Sequence, residues 1–155
     1  MFTVRMKSVV CGVALVGALA VATSVRAQIE VGTWVRQAEA AMPGVMTMTV
    51  ERCCGNGRRI LYRMEGTPSV MTFESRFDGS AAPMLVDGKP TGSTMAVKRL
   101  DDHRTFTVIK VNGKAIGTSK AALSADGKTI TVENEITSAD GGQKVGKSTE
   151  VWVRK

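Results

Sequence analysis

The chain is poor in the residues that carry most chemistry. It has one His and three Cys among 155 residues. A single imidazole leaves no room for a multi-histidine metal site or a histidine-based relay. Three thiols are too few for a disulfide-stapled scaffold. Aromatic residues make up only 5%, so few rings are available to stack bases, and no nucleic acid partner is expected. No Gly-x-Ser-x-Gly elbow, phosphate-binding loop, His-Glu-x-x-His pair or cofactor motif is present, which points to a non-enzymatic protein without a cofactor. A period of 3.6 is also missing beyond the first 27 residues, where Ala38 to Met42 is the best helix candidate.

What is present begins with an export pattern. Arg5 and Lys7 form a positive start, Ser8 to Val25 is an uncharged apolar run, and Val25-Arg26-Ala27 places small residues where a signal peptidase reads. Residues 1–27 are therefore expected to be a signal peptide, and an uncleaved anchor is the alternative. The remaining domain, residues 28–155, is expected to be exported, periplasmic or extracellular. Without Arg5, Lys7 and Arg26 the formal charge of +7 falls to +4. No later run is long enough to cross a bilayer as a helix.

From residue 28 the chain is punctuated by turns. Signals fall at Pro43-Gly44, Gly55-Asn56-Gly57, Thr67-Pro68-Ser69, Asp78-Gly79, Asp87-Gly88, Asp101-Asp102-His103, Asn112-Gly113, Asp126-Gly127 and Asp140-Gly141-Gly142. Asn-Gly and Asp-Gly supply the positive φ of tight hairpins. Between these signals the sequence alternates. Met46, Met48 and Val50 stand against Thr47, Thr49 and Glu51, and Ile60, Tyr62 and Met64 against Arg59, Leu61 and Arg63. Met71, Phe73 and Phe77 continue the pattern, as do Phe106 and Val108 against Thr105 and Thr107, and Ile130, Val132, Asn134 and Ile136. One apolar and one polar face is the mark of a half-exposed antiparallel sheet. Short sequential strands with even hairpin spacing predict an all-β fold: an antiparallel up-and-down β-barrel of eight to ten strands, favoured over a sandwich because closure removes the edges.

Gly32-Thr33-Trp34 near the start of the domain and Trp152 and Arg154 near its end carry a resemblance. The arrangement resembles that of the lipocalins and their calycin relatives, in which a Gly-x-Trp on the first strand packs at the closed end of the barrel under a basic side chain. Asp102, Arg104 and Thr105, and the run Ser124, Asp126, Gly127, Lys128 and Thr129, make the chain similar to small secreted bacterial lipocalin-like proteins. The resemblance implies a structural role for Trp34 and Arg154, a cation over an aromatic face worth on the order of 0.5–2 kcal/mol. It also implies an interior able to hold a small hydrophobic ligand. There is no room for a helix after the barrel, and only Ala38 to Met42 stands where a lid would be inserted.

The candidate lining of that interior is Met46, Met48, Tyr62, Met64, Met71, Phe73 and Met95. Methionine adapts to varied apolar partners and equally fills gaps in a core, so a cell-envelope structural or interaction module with a filled core is the alternative reading. Arg52 and Arg99 continue apolar faces and are candidates to meet a ligand carboxylate. Cys53-Cys54 leaves three readings open: a vicinal disulfide, intermolecular pairing, or soft-metal ligation of copper with thiolates. His103 beside Asp101 and Asp102 is read as a solvated turn.

Overall fold

The computed structural model describes residues 31–37 and 44–155, so residues 1–30, including the expected signal peptide, and the helix candidate Ala38 to Met42 lie outside the described residues. Ten strands follow one another: β1 Gly32–Arg36, β2 Met46–Cys53, β3 Gly57–Met64, β4 Val70–Ser75, β5 Asp78–Val86, β6 Lys89–Arg99, β7 Arg104–Val111, β8 Lys114–Leu123, β9 Thr129–Ile136 and β10 Gly146–Arg154. Each pairs antiparallel with its sequence neighbours, and β1 pairs with β10, so the sheet closes. The all-β, up-and-down barrel expected from the hairpin spacing is the observed fold, and among the described residues there is no helix.

Turn chemistry sets the register. Asp87-Gly88 and Asn112-Gly113 put two successive residues at positive φ, 51° and 78°, then 48° and 82°. This is the pattern of the two-residue turn whose twist matches the flanking strands. Elsewhere carboxylates hold the turns. Asp126 Oδ1 accepts from Ser124 Oγ at 2.6 Å and from the Lys128 amide at 3.0 Å. Asp101 Oδ1 accepts from the amides of His103 and Arg104. His103 is exposed there, as a turn residue.

Two expectations are corrected. Asp78-Gly79 is not a turn but the start of β5, where the register shifts between Asp78 and Ala81. The chain turns earlier, at Phe77, which takes φ 60° while its ring is buried. A bulge absorbs the positive φ of Gly79 within the strand. On β7 the faces are reversed: Thr105, Thr107 and Ile109 are buried, whereas Phe106 and Val108 are only half-buried. Phe106 stands between Lys98 and Lys120 in register, where lysine stems can cover it from outside.

The hairpins divide the barrel into two ends. One carries the β2–β3, β4–β5, β6–β7 and β8–β9 turns, and β1 begins and β10 ends there. This end is closed by a dense core of Trp34, Val50, Ile60, Phe73, Phe77, Val97, Leu123, Ile130 and Trp152. Trp34 and Val50 are fully buried. The Arg154 guanidinium lies 5.6 Å from the centre of the Trp34 ring, and its Nη2 donates to the Val31 carbonyl at 3.1 Å. A smaller cluster of Ile109, Ile116 and Ile136 lies on β7–β9, and Met95 touches both clusters.

Candidate functional site

The interior above the closed end is not uniformly apolar. β2, β3 and β4 present Met46, Met48, Tyr62, Met64, Met71 and Phe73 to it. Cross-strand register puts Met46 opposite Met64, Met48 opposite Tyr62, and Tyr62 opposite Met71. Met48 and Phe73 are buried, and Met46, Tyr62, Met64, Met71 and Met95 are half-buried. The Tyr62 ring stacks near Phe73, with centres 6.4 Å apart, and tilts against Trp152 at 5.8 Å. The structure thus brings together the methionine and aromatic residues that alternation selects.

Facing this wall is a polar one. Thr107, Ser119 and Asn134 occupy one register row across β7, β8 and β9. Thr107 and Ser119 are buried, and Ser119 donates its hydroxyl to Asn134 Oδ1. A buried hydroxyl without a partner would be costly, and this bond relieves that. On β10 and β1, Glu150 and Arg36 also turn inward. Glu150 Oε2 accepts from Trp152 Nε1 at 3.2 Å, and Glu150 Oε1 lies 3.9 Å from Arg36 Nη1. The Arg36 side chain is only 10% exposed. Burial, and then the Glu150 charge, raises the Tyr62 phenol well above its ordinary range, so it stays a neutral hydrogen-bonding group at any physiological pH.

Arg36 and Glu150 escape a search for apolar runs. The signal for them is simple alternation from their neighbours: Trp34 to Arg36 along β1, and Trp152 to Glu150 along β10. Arg36 leads directly into the connection towards β2, so the charged pair sits at the end opposite the Trp34 floor.

Arg52 and Arg99 do not join this site. Both stand at the closed end, Arg52 opposite Arg58 and Arg99 with its guanidinium 5.6 Å from the Phe77 ring centre. They are therefore a barrel's depth away from the Met46–Met64 pair. Cys53 and Cys54 are joined as a vicinal disulfide in the turn at this same end, with Cα atoms 3.8 Å apart. Their sulfurs and a Glu74 carboxylate oxygen lie within 4.8 Å of one another. Glu74 is engaged by Arg59 at 2.7 Å. Joined as a disulfide, the sulfurs carry no thiolate charge, so soft-metal ligation there requires the reduced pair.

A separate depression of about 300 Å³ opens on the outer side of β8, β9 and β10. Lys120, Glu133, Glu135 and Lys147 line it. Its outward position separates it from the interior site.

No family model and no curated protein matches the chain. Among solved structures, the fluorescent protein UnaG, in a crystal structure of a variant, is similar to it. The TM-score is 0.58 at 12% identity, over 82% of this chain and 96% of that one. The likeness shows the fold. Both are closed antiparallel β-barrels.

Proposed function

We propose that the protein is an exported, non-enzymatic binder of a small hydrophobic ligand with a polar end, held inside the barrel. The observation that carries this reading is the divided interior. A flexible Met and aromatic wall on β2–β4 suits an apolar body. Across from it stand the Ser119–Asn134 pair and, at the end opposite the Trp34 floor, Arg36 and Glu150. Enclosed charge and hydroxyls are costly in a core that only has to be stable, and they suit a site that orients an amphiphile. Export rests on the segment of residues 1–27.

The alternative, an envelope module with a filled core, is favoured by the dense packing around Trp34 and by exposed Val31, Val45, Leu100 and Val145. Native mass spectrometry of the protein from its own host separates the two. A small-molecule adduct on a chain beginning at Gln28 is expected. A bare chain that also takes up no apolar probe contradicts the binding reading.

A further inference from the structure

The closed end holds a feature that the interior site does not use. Alternation carries three strands' inward faces past the core into arginine: Val50 to Arg52 on β2, Ile60 to Arg58 on β3, and Val97 to Arg99 on β6. Arg52 and Arg58 are direct cross-strand partners, and Arg58 is in turn opposite the buried Ser75. Phe77 follows Ser75 and links this row to β6, because its carbonyl accepts the Arg99 amide at 3.0 Å. Arg99 is opposite Thr105, also buried. Three guanidiniums and two hydroxyl side chains therefore rim one end of the barrel in spatial sequence.

The cluster is held rather than splayed. Arg58 Nη1 donates to the carbonyls of Asn56 at 3.4 Å and Gly57 at 3.0 Å. Arg99 is fixed over Phe77. Burial, followed by the charges of Arg52 and Arg99, lowers the Arg58 guanidinium from its ordinary value, so the three groups are close enough to repel.

Three acids at this end have partners of their own. Glu74 pairs with Arg59, Asp101 with Arg104, and Asp78 accepts from the Ser80 hydroxyl at 2.5 Å. Among the described residues Arg52 and Arg99 form no ion pair. Converging like charges are destabilising unless an anion joins them, and arginine forks match tetrahedral oxyanions with paired hydrogen bonds.

We propose that Arg52, Arg58 and Arg99 form a binding site for a phosphate-type oxyanion at the closed end of the barrel. The site is independent of the interior site, and either proposal can fail alone. The anion is a free phosphorylated small molecule or the headgroup of an anionic lipid; the chemistry recognised is the same.

The probe is sodium pyrophosphate, titrated into 15N-labelled protein at constant ionic strength against chloride. Saturable shifts are expected at the backbone amides of Arg52, Arg58 and Arg99. In the double variant Arg52→Gln, Arg99→Gln, affinity falls by about 10- to 100-fold, as expected for loss of charged hydrogen bonds. The double variant Lys144→Gln, Lys147→Gln, an equal charge loss at the other end, leaves it unchanged. Saturable shifts that map elsewhere overturn the proposal, as does an Arg52→Gln, Arg99→Gln variant that binds like the parent. If that arginine variant does not fold, the map on the parent protein decides alone. Cosedimentation with phosphatidylglycerol vesicles, against phosphatidylcholine, identifies the source. Binding that requires the vesicles assigns a lipid headgroup, and binding of pyrophosphate without them assigns a soluble ligand. Failure in both arms refutes the site.

Discussion

Replacing Arg154 by Met tests what closes the barrel. β1 is held to β10 through three register pairs, Trp34–Arg154, Val35–Val153 and Arg36–Trp152, which makes this the shortest seam apart from the two-pair β4–β5 contact. Met preserves much of the aliphatic stem and, among the described residues, removes two interactions. The first is the cation over Trp34, at 5.6 Å from the ring centre. Arg154 is exposed, so this contact is worth about 0.5–1 kcal/mol. The second is the 3.1 Å bond to the Val31 carbonyl, worth about 1 kcal/mol net. A loss of roughly 1.5–2 kcal/mol follows, or a drop of about 5–8 °C in melting temperature for a domain of this size. Urea unfolding at constant m measures it. Trp34→Leu alone costs more, on the order of 2–4 kcal/mol, because the ring is wholly buried. The double variant completes a cycle, and a coupling of about 0.5–1 kcal/mol is expected. Additive single effects, with both variants folded, refute the clamp.

Other consequences follow from single positions. A Cβ at Gly117 falls 2.6 Å from the Glu135 carbonyl and 2.8 Å from Ile136 Cδ1; Gly117→Ala therefore overpacks the β8–β9 contact and lowers stability by about 1–3 kcal/mol, read from thermal unfolding. Tyr62 ionises above its ordinary value because of burial and Glu150. The unfolded chain loses this proton near its usual pKa of about 10 while the folded chain keeps it, so stability falls as pH rises through that value. Spectrophotometric titration of the phenol, repeated in denaturant, checks the sign. Cys53 and Cys54 are disulfide-bonded, so both resist a thiol-labelling reagent until a phosphine reductant is added. Labelling of the untreated protein contradicts this.

Much of the fold was legible because hairpin chemistry is local. Asp87-Gly88 and Asn112-Gly113 adopt positive φ at both residues of their two-residue turns. Asp78-Gly79 misleads because a glycine that can turn can also bulge, and only the β5–β6 register decides between them. Alternation names the inward residues of β2 to β4, but it does not orient β7. There Thr107 faces in because Ser119 and Asn134 provide a polar row, and Phe106 faces out between two lysines. Depth was the least legible quantity. Met46 and Arg52 share one face of one strand. Six residues of extended strand, about 20 Å, put them at opposite ends of the barrel, so Arg52 and Arg99 are separated from the methionines with which alternation groups them.

The interior binding site is tested most directly by titrating recombinant residues 28–155 with an environment-sensitive anilinonaphthalene sulfonate probe. One saturable, blue-shifted site per chain is expected. Loss of that site is expected in Met95→Trp, where a larger ring replaces a side chain packed against both core clusters, while thermal unfolding confirms a folded barrel. Absence of saturable binding, or binding unchanged in the folded Met95→Trp protein, contradicts it.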